Sequence, residues 1–278
     1  MTEYDEVIRR ALEEDIGTGD ITTSSLIDPR LKGIAEIRAK EDLILAGITV
    51  ARRVFKILNP ETQFEESFND GDMISDSTVI AKITGRAMDL LMGERVALNF
   101  LQRLSGIATL THRFVERVKG YPVKIIDTRK TTPVLRKLEK DAVKAGGGFN
   151  HRFGLFDGVL IKDNHIVACG SIFEAIRKAR EGTPHTLKIE VEVRDLEGVK
   201  EALNAKVDAV LLDNMDIETM RKAVKIIDGK MIVEASGGIT LHNVEEIAKT
   251  GVDLISIGAL THSARAVDID MDLINTWI

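Results

Sequence analysis

The sequence predicts an α/β protein: an α+β layer followed by an open, incomplete α/β barrel. Three observations carry this. From residue 123 onward, six short runs rich in β-branched residues alternate with amphipathic segments, the mark of right-handed βαβ units and a parallel sheet. Neighbouring runs start roughly 20 to 35 residues apart, one strand and one helix each. The first third lacks that rhythm and mixes helical with strand-like spacing. Six strands are too few for the eight-fold barrel, so the barrel is expected to be incomplete. A doubly wound open sheet is the structural rival. No G-x-G-x-x-G follows the first strand of the repeat, which weakens a dinucleotide-binding reading.

Taken in order, residues 3–14 have helical spacing through Val7, Ile8, Ala11 and Leu12. Gly17 and Gly19 then break it. Strands are expected over 34–39, 43–46 and 79–83, with a helix over 50–58 and turn chemistry at Asn69-Asp70-Gly71-Asp72. A long helical stretch, 88–119, forms the joint between domains, interrupted near Ser105-Gly106. The repeat follows, with strands at 123–126, 158–161, 187–193, 209–212, 231–233 and 254–257. Its helices cover 134–144, 172–180, 196–203, 217–227 and 244–249. Ser171 and Glu174 fit a capping box, and Gly182, Gly229 and Gly251 stand where helices should stop. The expected domains are residues 1–108, joined by the tail 267–278, and residues 109–266.

Composition narrows the function classes. The chain has 278 residues, 44% hydrophobic and 29% charged, as in ordinary globular proteins. Aromatics are only 4%, so the core must be aliphatic. The net charge of −6 gives no reason to expect nucleic acid or a membrane surface as partner. The single cysteine, Cys169, rules out an intrachain disulfide and suits a reducing cytoplasm. The opening residues Met1 to Glu6 carry no apolar stretch, so no secretory leader is expected.

Function shows in where the polar residues fall. Almost every strand of the repeat runs into one: Asp127-Thr128-Arg129-Lys130, Lys162-Asp163-Asn164-His165, Glu190 and Glu192, Asp213-Asn214, Glu234-Ala235-Ser236-Gly237-Gly238, and Gly258. Barrel enzymes build their sites at these C-terminal strand ends. Ser236-Gly237-Gly238 lets backbone N–H groups approach a phosphate, with Thr240 available to cap the next helix. A tight turn without ligand explains those glycines about equally well. Arg129, Lys130, Lys162, His151 and Arg152 would repel one another around a dry cavity, and make sense around polyanions. Any one of them alone is more simply a solvated cation. Glu192 and Asp213 then need sugar hydroxyls or a bridging Mg²⁺ as partners, a barrel-interior ion pair being the plainer alternative. A barrel aldolase with Lys162 as Schiff-base nucleophile is a rival enzyme reading. A non-catalytic anion-binding barrel would leave Glu192 and Asp213 unexplained.

The motifs Asp127-Thr128-Arg129-Lys130-Thr131-Thr132-Pro133, Gly146-Gly147-Gly148-x-Asn150-His151-Arg152, Lys162-Asp163-Asn164-His165, Glu190-Val191-Glu192-Val193, Leu211-Leu212-Asp213-Asn214 and Glu234-Ala235-Ser236-Gly237-Gly238-Ile239 together resemble the quinolinate phosphoribosyltransferase family. Glu14-Asp15-Ile16-Gly17-x-Gly19-Asp20 and Glu94-Arg95-Val96-Ala97-Leu98-Asn99 fit as well, so the resemblance spans nearly the whole chain. Val134 departs from it, where relatives often carry glycine. The resemblance implies an N-terminal sandwich domain, an open barrel, and a homodimer, in some cases a hexamer, with active sites shared between subunits. It implies quinolinate bound by Arg95 of a neighbouring copy, Arg129, His151, Arg152 and Lys162. It implies phosphoribosyl pyrophosphate bound by Lys130, Glu192, Asp213, Ser236, Gly237, Gly238 and Gly258, with Thr128 a further substrate-binding residue. Mg²⁺ is the expected cofactor, held mainly through diphosphate and water with no direct protein ligand. Lys130, Lys162, Glu192 and Asp213 are the expected catalytic groups. A same-fold relative acting on another ring acid shares much of this pattern.

Overall fold

The computed structural model describes residues 4–278; Met1, Thr2 and Glu3, the last counted in the expected first helix, lie outside the described residues. Two compact units emerge. One comprises the chain up to His112 with Thr131–Gly147 and Thr261–Ile278; the other comprises Arg113–Lys130 and Gly148–Leu260.

In the first unit, α1 (Asp5–Ile16) is followed by α2 (Ile21–Leu26), β1 (Lys32–Ala39), β2 (Leu43–Ile44), α3 (Ile48–Leu58), β3 (Gln63–Glu66), β4 (Met73–Ile74), β5 (Val79–Arg86) and most of α4 (Ala87–Arg117). The helix α5 (Arg136–Ala145) and the last strand, β12 (Ile269–Trp277), complete it. An antiparallel sheet runs β12-β1-β5-β3. Alternation sets its inner face: Ala35, Ile37 and Ala39 of β1 are buried while the residues between are not. On α3, Ile48, Val50, Ala51, Val54 and Phe55 are buried at helical spacing. Arg53 of α3 grips Asp5 of α1 through two hydrogen bonds of 2.7 Å. α2 has no counterpart among the expected elements, since its β-branched Ile21-Thr22-Thr23 carries little helix propensity. Its start is fixed by Asp20, whose carboxylate accepts the Thr23 N–H at 2.9 Å.

One expectation fails instructively. α4 runs unbroken through Ser105-Gly106. Ser105 is there for packing: its hydroxyl accepts from the Ala46 N–H and donates to the Ala46 carbonyl. Gly106 is there for room, since a Cβ at that position would stand 2.0 Å from the Arg265 carbonyl oxygen. The residues that read as a break are a contact point for the returning tail.

The second unit carries β6 (Lys124–Ile126), β7 (Val159–Ile161), α6 (Asp163–Cys169), α7 (Ile172–Gly182), β8 (Ile189–Val193), α8 (Leu196–Asn204), β9 (Ala209–Asp213), α9 (Ile217–Ile227), β10 (Ile232–Ser236), α10 (Val244–Ala248) and β11 (Leu254–Ser256), with α11 (Ala259–His262) at its end. Six parallel strands pair in the order β6-β11-β10-β9-β8-β7. That is barrel order: successive strands are neighbours and the first lies beside the last. The ring is open between β6 and β7. On the open side Phe149 bridges to Ile126 and takes the Asp127 N–H on its carbonyl.

Alternation sorts each barrel strand into two sets. Val191, Val210, Leu212, Ala235 and Ile255, all fully buried, face the helices. Those helices answer with Ala175 and Ile176, Val199 and Ala202, and Met220, Ala223 and Ile227. Full burial of each larger aliphatic side chain contributes about 1.5–3 kcal/mol. Ser171, Asp195 and Asp216 cap α7, α8 and α9 through side-chain oxygens that accept backbone N–H groups. Thr240 does not cap α10: that helix starts at Val244, after Asn243. No helix among the described residues is long and apolar enough to cross a membrane.

Candidate active site

The other set of strand residues points inward, and there a cavity of about 460 Å³ opens. Period two explains its lining: Leu160 and Lys162 come from the end of β7, Leu211 and Asp213 from β9, Glu234 and Ser236 from β10. Glu192 of β8 and Ser256 of β11 belong to the same face. Thr128, Arg129 and Lys130 enter from the segment after β6, His151 and Arg152 from the glycine-rich loop. The Lys130 N–H donates to the Thr128 hydroxyl at 3.0 Å, which turns that segment at the rim.

The cavity brings together both charge signs. Lys162 Nζ lies 3.4 Å from Glu192 Oε2, a pair whose carboxylate is mostly buried. Asp213 Oδ2 lies 3.3 Å from Arg194 Nε, whose other end reaches Asp163 at 3.1 Å. Arg152 donates to the Gly158 carbonyl at 2.9 Å, while its buried Nε has no hydrogen-bond partner. Burial, and then the neighbouring Arg129, lower its pKa from the ordinary arginine value. A guanidinium held this way gains from an arriving carboxylate. β7 passes straight into α6, where His165 Nδ1 accepts the Lys162 N–H at 2.9 Å and fixes the strand end that carries the lysine.

Beside these cations, His151, Glu190 and Glu234 form a cluster whose potential ligand atoms lie within 4.8 Å of one another, a spacing a divalent cation could use. Glu234 is 1% exposed. Its pKa is raised well above the usual carboxyl value, by burial first and by the charge of Glu190 second.

The remaining expected residues fall elsewhere. Gly237 and Gly238, both with positive φ, line a second cavity of about 520 Å³ with Asn214 and Asp216. A Cβ on Gly237 would stand 2.2 Å from Asn214 Oδ1, so that glycine seats the Asn214 side chain. Gly258 follows β11 at the start of α11. Arg95 stands exposed on α4 in the first unit, 3.8 Å from Glu94. Leu160, Leu211 and Ser256 were not expected in the lining, and Glu190 and Glu234 had been given no role. Counting two residues back from Lys162, Asp213, Glu192 and Ser236 would have found four of the five.

Comparison with known proteins decides the family. The model of the quinolinate phosphoribosyl transferase N-terminal domain matches residues 20–105, and that of the C-terminal domain matches residues 107–272. The chain belongs to the quinolinate phosphoribosyl transferase family. A "probable nicotinate-nucleotide pyrophosphorylase (carboxylating)" of Bacillus subtilis is 49% identical over 260 residues, covering 94% of this chain and 90% of that protein. One from Methanocaldococcus jannaschii is 45% identical, covering 97% and 96%. The crystal structure of NadC from Streptococcus pyogenes superposes with a TM-score of 0.95 at 41% identity, over 100% of this chain and 98% of that one. Human nicotinic acid phosphoribosyltransferase, at 10% identity and a TM-score of 0.69, shares the fold alone.

Proposed function

We propose that this member of the quinolinate phosphoribosyl transferase family is a carboxylating nicotinate-nucleotide diphosphorylase. It moves the phosphoribosyl group of phosphoribosyl pyrophosphate to quinolinate and releases pyrophosphate and CO₂, yielding nicotinate mononucleotide for NAD biosynthesis. Close, near full-length similarity to carboxylating pyrophosphorylases supports the reaction. The observation that carries the assignment to this cavity is its rim, where Arg129, Lys130, Arg152 and Lys162 surround the carboxylates of Glu192 and Asp213.

Arg129, Arg152 and Lys162 hold the two carboxylates of quinolinate and aim its ring nitrogen at the anomeric carbon, which is catalysis by orientation. Lys130 faces the diphosphate and offsets charge on it as the C–O bond breaks. Glu192 and Asp213 accept hydrogen bonds from the ribose hydroxyls and stabilise positive charge growing on the sugar. Ser236, Gly237, Gly238, Gly258 and Thr128 take the phosphate ends. Once the ring nitrogen is quaternary it draws electrons, the adjacent carboxylate leaves as CO₂ with its bonding pair left on the ring carbon, and that carbon takes a proton from water.

Mg²⁺ prefers oxygen ligands and keeps several waters. Glu192 and Asp213 fit that preference as hard oxygen acceptors lining the cavity, and they would hold the ion only through water and the diphosphate. When bound, Mg²⁺ would supply positive charge to offset that of the diphosphate. A second copy of the chain supplies Arg95 in a homodimer with shared sites.

The test is quinolinate-dependent release of pyrophosphate and CO₂, with nicotinate as the comparison substrate. Turnover of nicotinate but not quinolinate would refute the assignment in favour of another ring acid.

A further inference from the structure

We propose that Glu190 and Glu234 act as a positioning pair: they hold His151 in one neutral tautomer, protonated at Nε2, and through it fix the backbone of Arg152. The argument starts from a donor that cannot change roles. The Arg152 backbone N–H points at His151 Nδ1 at 2.6 Å. An amide N–H only donates, so Nδ1 accepts and carries no proton. The ring proton is therefore on Nε2, which faces Glu190 Oε2 at 3.0 Å, with Glu234 Oε2 at 3.6 Å. The His151 N–H meanwhile donates to Asp127 Oδ1 at 2.8 Å, and Asp127 is fully buried. The imidazole is a strut between a buried carboxyl pair and the peptide that carries a cavity guanidinium.

This geometry disfavours a metal at the same atoms. A histidine binds a metal through a bare nitrogen, and the one facing the carboxylates bears hydrogen. The cavity also collects Arg129, Arg152 and Lys162, which oppose a divalent cation. The pair resolves its charge differently. Glu234 is 1% exposed, and its burial outweighs the Ser256 hydroxyl that favours its charge, so an ionised carboxylate there is costly. Burial favours the uncharged Glu234 carboxyl, and Glu190 Oε2 is the acceptor that the His151 Nε2–H reaches. Burial of Glu234 and the adjacent Glu190 charge act in that direction.

The kinetic consequence rests on the functional reading above; the structural one does not. Glutamine at position 190 carries both a carbonyl for the His151 Nε2–H and an N–H for Glu234, whereas alanine carries neither. The first measurement is ¹⁵N NMR of the histidine rings in the ligand-free protein at neutral pH, with His151 assigned by mutation. Wild type and Glu190→Gln should show His151 neutral and protonated at Nε2, and Glu190→Ala should lose that signature. An imidazolium, or a ring protonated at Nδ1, in the wild type would overturn the proposal. So would an unchanged tautomer in Glu190→Ala. The second is steady-state kinetics. Glu190→Ala should raise the KM for quinolinate about tenfold or more, the worth of one charge-assisted contact, with a smaller change in kcat. Glu190→Gln should recover most of that loss. Equal KM in the two variants would also overturn it. If quinolinate is not the substrate, wild type fails the kinetic arm while the NMR arm still reads the tautomer.

Discussion

Replacing Arg152 with methionine separates a binding arginine from a structural one, because the two roles predict opposite patterns. The Arg152 guanidinium makes one hydrogen bond, to the Gly158 carbonyl, and leaves a buried Nε without a partner. Losing that bond costs about 1 kcal/mol. Removing a partly buried cation beside Arg129 returns a comparable amount, and the unbranched methionine keeps the packing of the stem. Net stability should therefore change by no more than about 1 kcal/mol, or about 2–4 °C in Tm. Binding should respond differently. A charge-assisted bond to a substrate carboxylate is worth about 1.5–3 kcal/mol, which is about 10- to 150-fold in affinity. The assay is thermal unfolding of the ligand-free variant beside KM for each substrate from CO₂ release. Quinolinate KM should rise within that range while the KM for phosphoribosyl pyrophosphate moves little. A quinolinate KM within twofold of wild type, or a Tm loss well beyond the stated range, would show that the guanidinium holds the loop rather than the substrate.

Other changes probe the frame around the site. Gly106→Ala places a Cβ against the Arg265 carbonyl oxygen, so despite a helix-propensity gain of about 1 kcal/mol it should destabilise the first unit by about 2 kcal/mol or more, seen as a lower denaturant midpoint. Glu139 is fully buried and accepts two bonds from Arg103 and one from the Thr132 N–H; Glu139→Gln should cost about 3 kcal/mol, the low end for a broken pair because Arg103 is one-third exposed, and equilibrium unfolding checks it. Glu234 keeps its proton in the fold at pH values where the unfolded chain has lost it. Its contribution to stability is therefore fully present below the unfolded value near 4.5 and is lost as pH rises through the raised folded value. Unfolding free energy should fall across that window in wild type, and Glu234→Gln should flatten the profile; parallel profiles would refute the raised value.

The barrel was legible because two periods in the sequence agree. A period of two places Val191, Leu212 and Ala235 against helices, and a period near 3.6 gives those helices their answering faces. The cations at strand ends followed from the same alternation, and so did Glu192 and Asp213. What stayed hidden was set by contacts distant in sequence. Ser105-Gly106 reads as a helix break by propensity, yet it is a landing site for Ala46 and Arg265, which nothing local reveals. The strand at Ile269–Trp277 exists because β1 offers it an edge. Glu190 and Glu234 were visible as charges, but their coupling needed two strands separated by β9 to be curved toward each other.

That curvature accounts for the chemistry of the site as well as its shape. In a flat sheet, inward residues on β8 and β10 would stand apart, each solvated and each near its ordinary protonation. Rolling the strands brings polar atoms of Glu190, Glu234 and His151 within 4.8 Å of one another and excludes water from Glu234. It also confines Arg129, Arg152 and Lys162 to one cavity, where Lys162 meets the Glu192 carboxylate. The cavity thus holds cations beside the Glu192 and Asp213 carboxylates, while burial disfavours charge on Glu234. A dicarboxylate entering such a cavity meets Arg129, Arg152 and Lys162 on its lining, and burial and the neighbouring Glu190, which raise the Glu234 pKa, favour the uncharged acid that repels it least.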